Sequence, residues 1–423
     1  MKKFYSLCFS VAVFAATVNS YSQNDCGNGR YLNKIFTNYA LTSNIAYGQN
    51  FKVNGQSQTL LLDVYQPQGD DSTVLRPLII WIHGGTFVGG SKTGTDVAPL
   101  SQDFAKMGFV ATSIEYRVGM QDYPLPGPDS VDATESVVRA VHDARAAVRF
   151  FKKNFTEGGN TYKIDTNLIF VAGVSAGAIT AVHLAYLDDI NEYPAYIDTT
   201  KVGLGGGIEG NSGNPGYSSK ARAIVNSAGA IRDTSWMKSN DTPIISLHGT
   251  ADGTVPYGTA MIYVGGFYPI MVVSGSGSIH QRTDNLGINN CLKPFYGADH
   301  VPHVGNAQYT DTLEKYTGNY LYQFICNAAP ECGYYTVGIS ENKTESGIVV
   351  YPNPNNGNFN LIISQFDNLK MRKLKIYNVL GKMVYSQQLT TSNEQLTTNL
   401  SDGIYFYQII VGEKIYTGKL VKE

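Results

Sequence analysis

Ser175 stands between two glycines, in Gly173-Val-Ser-Ala-Gly177, after an apolar run at 168–172 and before an Ala- and Leu-rich run at 178–187. The first run reads as a buried strand and the second as a helix. A serine at the tip of such a turn projects above the sheet edge, with the helix N-terminus aimed at developing negative charge. A serine hydroxyl is a poor nucleophile, so it needs a base, an acid to orient the base, and donors for the oxyanion. Seven histidines are available: His83, His142, His183, His248, His280, His300 and His303. Three of them, His142, His183 and His280, fall inside predicted helices, and His83 opens a glycine loop that it supports. His300 lies just past the last predicted strand and is the expected base, with His303 as runner-up. Asp252, in His248-Gly-Thr-Ala-Asp252, is the expected acid. Glu115 and Asp129 sit at other strand ends in the wrong chain order, and Asp299 adjoins the base. The oxyanion donors expected are the backbone N–H groups of Ala176, Gly84 and Gly85. Phe87, Trp236 and Tyr257, near strand ends, are candidates for the substrate wall. No spacing suited to a metal or a redox pair occurs, and no cofactor is expected.

These residues need a scaffold that brings several strand ends together. Apolar runs at 59–65, 76–82, 108–114, 168–172, 221–226, 243–247 and 292–296 read as strands. Helical periodicity at 130–154 (Val137, Val141, Ala144, Val148 and Phe151 on one face, Asp129 or Ser130 as cap), 276–286 and 309–326 alternates with them. Alternation of this kind predicts an α/β domain, a mostly parallel sheet with helices on both faces. The glycine-rich stretch 201–217 lacks a Lys-Ser/Thr ending and reads as a long surface loop near the site. At 333–347 the composition turns to Gly, Ser, Asn, Lys and Glu, a linker. Beyond it, short strands at 348–354, 358–364, 372–378, 382–389, 403–411 and 414–421 predict a small all-β, Ig-like sandwich over 348–423.

The chain of 423 residues carries a net charge of −2, which argues against a nucleic-acid partner. Lys2 and Lys3, an apolar stretch at 4–18 and small residues at 20–22 predict a secretory leader over 1–22. Nothing later is long and apolar enough for membrane insertion. The organisation expected is therefore a leader at 1–22, a catalytic domain at 23–332, a linker at 333–347 and a sandwich at 348–423. Cys26, Cys291, Cys326 and Cys332 remain after the leader, an even number suited to two disulfides in an exported protein. A last helix antiparallel to the strand before it would bring Cys326 to Cys291, leaving Cys26 for Cys332.

The order Ser175, Asp252, His300 is that of the α/β-hydrolases, and residues from about 60 to 324 resemble their carboxylesterases. The resemblance is to the bacterial family that contains feruloyl and acetyl-xylan esterases. It is carried by Leu62-Asp-Val-Tyr-Gln-Pro67, His83-Gly-Gly-Thr-Phe-Val-Gly-Gly-Ser-Lys92, the Ser175 turn, His248-Gly-Thr-Ala-Asp252 and Gly297-Ala-Asp-His300. Val174 departs from it, since many relatives carry an acid or histidine before the serine. The last domain resembles type IX secretion sorting domains through Val350-Tyr-Pro-Asn-Pro354, Asn356-Gly357, Ile376-Tyr-Asn-Val-Leu-Gly-Lys382, Leu400-Ser-Asp-Gly-Ile-Tyr405 and Gly418-Lys-Leu-Val-Lys422. Together these imply a secreted or cell-surface serine esterase. Its expected partners are a small or polysaccharide-linked ester, on acetyl or feruloyl groups, and the outer-membrane type IX machinery. The alternatives are a serine peptidase of the prolyl-oligopeptidase type and an inactive hydrolase fold used for adhesion.

Overall fold

The computed structural model describes residues 26–332, 348–363, 372–391, 393–411 and 414–423. The leader expected at 1–22 and the linker expected at 333–347 lie outside the described residues. The chain divides into two units, Met1–Tyr334 and Tyr335–Glu423. The first opens with strands β1 (Tyr39–Phe51), β2 (Ser57–Pro67) and β3 (Arg76–Ile82), helix α1 (Ala98–Lys106), strand β4 (Val110–Ile114) and helix α2 (Ser130–Glu157). Strand β5 (Ile164–Val174), helix α3 (Ala176–Tyr186) and strands β6 (Ala223–Ser227), β7 (Ala230–Ile231) and β8 (Ile244–Gly249) follow. It closes with a hairpin of β9 (Thr259–Val264) and β10 (Tyr268–Gly275), helix α4 (Ser276–Leu286), strand β11 (Asn290–Phe295) and helix α5 (Ala307–Cys326).

Eight strands form one sheet in the order β1-β2-β4-β3-β5-β6-β8-β11. From β4 to β11 every pairing is parallel, and only β1 and β2 run against their neighbours. β3 explains the layering: all seven of its residues are buried, because both faces of the sheet are covered. Leu78, Ile80 and Ile82 join the core beneath α2 and α3, whereas Ile79 and Trp81 join the core beneath α1 and α5. α2 begins at a capping box in which Asp129 accepts from Val131 and Asp132 amides. α1 was not anticipated, because nine residues with a proline in the first turn carry little periodicity. The β9–β10 hairpin was also unforeseen, although Gly265-Gly266 is a hairpin turn signal between two alternating apolar runs.

The glycine-rich loop is held elsewhere than expected. Buried arginines of α2 and the loop before it grip its backbone: Arg117 donates to Gly203 O (2.8 Å) and Arg149 to Glu209 O (2.8 Å) and Gly213 O. Arg145 donates to Ile208 O. The Gln49 amide of β1 donates to Ser212 O (2.9 Å). None of residues 201–217 lines the cavity at Ser175, so the loop braces α2 and β1, not the site.

The expected disulfide pairing is wrong. The bonds are Cys26–Cys326 and Cys291–Cys332, with Cα separations of 5.9 and 5.4 Å. α5 does return antiparallel along the edge strand, with Tyr309 against Phe295 and Tyr316 against Lys293, but it also packs over α1 and the N-terminal segment. Leu313, Tyr320 and Leu321 share a core with Tyr31 and Phe104, and Lys34 bridges Asp103 (2.8 Å) and Glu314 (2.7 Å). The last turn of α5 therefore meets Cys26, whose carbonyl accepts from Tyr322 Oη (3.0 Å). Left-handed Asn327 then ends the helix and the chain turns back to β11, where Cys332 reaches Cys291.

The second unit contains two antiparallel sheets. β12 (Ile348–Tyr351), β13 (Asn358–Ile363) and β16 (Asn393–Thr397) form one; β15 (Met383–Gln388), β14 (Arg372–Asn378), β17 (Gly403–Val411) and β18 (Lys414–Lys422) form the other. Phe359, Leu361 and Leu396 of the first sheet share a core with Leu374, Ile376, Ile409 and Leu420 of the second, which makes a sandwich. β16 was not predicted, because Leu396 is its only apolar residue.

Candidate active site

β5 delivers Ser175 in a strained conformation, φ 55° and ψ −120°. The turn is possible only because its neighbours lack side chains. A Cβ on Gly173 would lie 2.1 Å from Gly177 O, and one on Gly177 would lie 1.9 Å from Ile82 O. The Ser175 amide donates to Ser227 O (2.9 Å), which pins the turn to the end of β6.

The next two parallel strands supply the other groups. Asp252 follows β8 and His300 follows β11, and their loops are zipped together. Thr250 N donates to Phe295 O (3.0 Å), Ala251 N to Ala298 O (3.0 Å), and Gly297 N to Thr250 Oγ1 (2.9 Å). Asp299 Oδ1 accepts from both Gly253 N (2.9 Å) and His300 N (2.7 Å), one carboxylate tying the two loops. In this frame Ser175 Oγ–H donates to His300 Nε2 (2.8 Å) and His300 Nδ1–H donates to Asp252 Oδ2 (2.7 Å). The Asp252 carboxylate is fully buried, while the imidazole keeps 18% of its surface exposed. Such a line can move the serine proton to the imidazole as the oxygen attacks.

His248 was expected only as the start of the acid's motif, yet it contacts the acid directly. Its Nε2–H donates to Asp252 Oδ2 (3.1 Å) and Val255 O (3.1 Å), and its Nδ1 accepts from Ser276 Oγ (2.7 Å). Asn226 Nδ2 in turn donates to Ser276 Oγ (3.2 Å). Asp252 Oδ1 accepts from the amides of Thr254 and Val255, both at 2.8 Å. Burial pushes the acid's pKa up, but hydrogen bonds from His248 and His300, the charge of His300 and the Val255 amide outweigh it. The carboxyl is held well below its ordinary range. The spacing His-x-x-x-Asp across a tight turn at a strand end is the signal that could have exposed this contact.

His303 makes no hydrogen bond to Ser175 or Asp252. It is buried, neither ring nitrogen has a partner among the described residues, and burial with repulsion from His300 lowers its pKa to about 4. His83 is structural: its Nδ1 bonds Gly84 O (2.7 Å) and its ring stacks on Tyr116 at 4.3 Å.

In the loop after β3 the expected oxyanion donors differ in their partners. Gly84 N donates to Asp96 Oδ2 (2.7 Å), so it is not available to a substrate oxygen. The amides of Gly85, Thr86 and Ala176 donate to no acceptor among the described residues. Gly85 has φ 112°, and a Cβ there would lie 2.3 Å from Gly89 O; Thr86 and Phe87 are left-handed at φ 57° and 62°. Strain of this kind is what turns successive N–H groups toward one point. Asp96 lies twelve residues from Gly84, and no sequence signal links them.

Ser175 opens into an apolar cavity of about 90 Å³. Thr86, Phe87 and Trp236 line it, as do Ile262 and Val264 of β9 and Ile270, Met271 and Val273 of β10. Trp236 stands edge-on to His183, whose pKa burial lowers to about 4. Tyr257 does not line the cavity. Its ring stands edge-on to His248 at 5.7 Å and faces Gly277, behind the acid.

Residues 62–231 match the BD-FAE family model, and residues 349–423 match the secretion system C-terminal sorting domain. Curated relatives include Lipase 1 of Geotrichum candidum, 29% identical over 133 residues, which are 31% of this chain and 23% of that one. Lipase 2 of Diutina rugosa is 32% identical over 140 residues, 32% of this chain and 24% of that one. Carboxylesterase 3 of Pongo abelii is 28% identical over 134 residues, 30% and 22%. The chain thus spans less than a quarter of the length of these relatives. Among solved structures, esterase 2 of Thermogutta terrifontis phosphorylated by paraoxon is 22% identical, with a TM-score of 0.47 over 69% of this chain and 96% of that one. Residues 62–231 are thus similar to the BD-FAE family, and residues 349–423 to the C-terminal sorting domain of a secretion system.

Proposed function

We propose that the protein hydrolyses carboxylic esters through a covalent acyl-enzyme, with Ser175 as nucleophile, His300 as general base and acid, and Asp252 as the orienting acid. The observation that carries this reading is His300, bonded to Ser175 at 2.8 Å on one side and to Asp252 at 2.7 Å on the other. Ser175 Oγ attacks the ester carbonyl as its proton passes to His300 Nε2. The oxyanion takes hydrogen bonds from the Ala176 amide and the loop amides of Gly85 and Thr86. Imidazolium then protonates the leaving alkoxide, and a water activated by neutral His300 returns the acid and the free serine. Acyl groups of plant polysaccharides, acetyl or feruloyl, are the proposed natural substrates. The BD-FAE match and the apolar cavity beside Ser175 support this reading. Export through the type IX machinery carries the enzyme to polymers that cannot enter the cell.

The test is Ser175→Ala assayed on short p-nitrophenyl esters, acetylated xylan and methyl ferulate, with fluorophosphonate labelling alongside. Activity should fall roughly a thousandfold or more, and the label should be lost. Activity within tenfold of the parent would overturn the assignment.

A further inference from the structure

The cavity wall holds one permanently charged side chain, Arg232, just past β7. Its three side-chain contacts all run through Nη1 and all are neutral: Tyr196 Oη, Thr134 Oγ1 (3.5 Å) and Met271 Sδ (3.5 Å). Nε–H and the Nη2 hydrogens have no acceptor among the described residues. The contacts fix where the guanidinium stands, since Thr134 and Met271 themselves line the cavity and the Tyr196 ring lies 5.4 Å below the charge. Neighbouring Asp233 forms no ion pair with it; that carboxylate caps the following turn through the Ser235 amide (2.8 Å). His183, whose Nε2 accepts from the Arg232 backbone N–H (3.4 Å), is kept neutral by its own burial.

Other arginines of the domain are held by main-chain carbonyls or by carboxylates: Arg145 donates to Leu184 O and Leu187 O, and Arg282 to Thr234 O and Met237 O. Arg117 meets Asp143, Arg139 meets Glu135 and Arg149 meets Glu209. Among the described residues Arg232 is the one arginine that lines the space beside the nucleophile, with a planar fork of donors open in surroundings that are mainly apolar. Such a fork matches an oxygen acceptor on the ligand, and a carboxylate best of all.

We propose that Arg232 is a specificity residue that receives the far end of the substrate's acyl group, and that this end carries an oxygen acceptor, preferably an anion. The inference rests on the esterase reading of Ser175 and narrows its substrate class. A purely hydrocarbon acyl chain leaves the guanidinium unpaired when it displaces water from the wall. A half-ester of a dicarboxylic acid supplies the missing partner. A site built for such a contact discriminates against analogues that lack it.

The experiment compares monomethyl glutarate and monomethyl adipate with methyl alkanoates of matched length, in the parent, Arg232→Met and Arg232→Lys. The parent should favour the half-ester, and the ratio of kcat/KM values should fall roughly tenfold or more in Arg232→Met. Arg232→Lys, which keeps charge without the fork, should lie between. Fluorophosphonate labelling of each variant reports whether the site around Ser175 is formed. A half-ester ratio that does not change in a variant that still labels overturns the inference and leaves the esterase reading standing. A parent that neither labels nor hydrolyses any of the esters overturns the esterase reading itself.

Discussion

The carboxyl edge of the sheet and the cavity wall meet at Ser175 but are built by opposite means. At the edge, each group comes from the end of a parallel strand, and short local hydrogen bonds tie the Asp252 and His300 loops into one frame. At the wall, residues from α2, α3, the loop after β3 and the β9–β10 hairpin converge through apolar contact, with Arg232 as the charged exception. Edge geometry is directional, and a displacement of an ångström breaks it. Wall geometry is a matter of volume, which neighbours can partly refill. Changes at the edge should therefore act on the rate of chemistry, and changes at the wall on the choice of substrate.

Asp252→Asn should give the largest effect that breaks this contrast, a loss of about 10⁴ in kcat on a p-nitrophenyl ester. A loss below tenfold would mean that the buried acid does not orient His300. Next comes Asp96→Ala, which releases Gly84 N and with it the strained loop. A drop of roughly a hundredfold in kcat with little change in KM is expected, and Asp96→Asn, which still offers an oxygen, should recover most of it. If Ala and Asn behave alike, Asp96 does not position the oxyanion donors. His248→Phe should cost less, about tenfold. Losing one of its two imidazole donors leaves Asp252 more negative toward His300, so the imidazolium is favoured. The acid limb of the kcat/KM profile should then move to higher pH, and a limb that stays in place would assign His248 a packing role only. Ile262→Ala, at the wall, should alter kcat for acetyl esters by less than about threefold while shifting the preferred acyl length upward. Similar losses on every chain length would erase the distinction between wall and edge.

The smallest change lies far from both regions. Burial, only partly offset by Lys34, raises the Glu314 pKa to about 7, with the Asp103 carboxylate adding to the rise. Glu314 Oε1 has no hydrogen-bond partner among the described residues. The folded state thus holds a proton that the unfolded chain releases near its ordinary value of 4.5. The associated stability is full below that value and is lost as pH rises toward 7. Glu314→Gln should flatten the dependence of Tm on pH in this window, with kcat unchanged. An unaltered slope would refute the assignment.

How much the sequence reveals follows the same division. The strands, the serine turn and the segments that carry Asp252 and His300 are legible because each is short and its neighbours in sequence dictate its geometry. Gly173 and Gly177 are needed for contacts within a few residues or with the adjacent strand. The acidic clamp on Gly84 was not legible, because a twelve-residue loop closes before Asp96 meets that amide. Nor was the wall, since β9 and β10 sit outside the main sheet and reach Ser175 only through tertiary packing. Tyr257 shows the hazard of proximity in sequence: five residues past the acid, it packs behind the site and not within it. The disulfides failed for a related reason. Which helix face meets which layer is a property of the whole core, and a strand–helix antiparallel rule says nothing of it.

The Cys26–Cys326 bond spans 300 residues, and together with Cys291–Cys332 it sets a mechanical limit. Force applied between residues 26 and 332 passes through sulfur and then along only the short segment after α5. With the bridge closed, the domain can lengthen under tension by no more than about six residues of extended chain, roughly 20 Å, however far its sheet unzips. A protein drawn through a narrow conduit by one end would keep its catalytic fold in a closed covalent loop throughout.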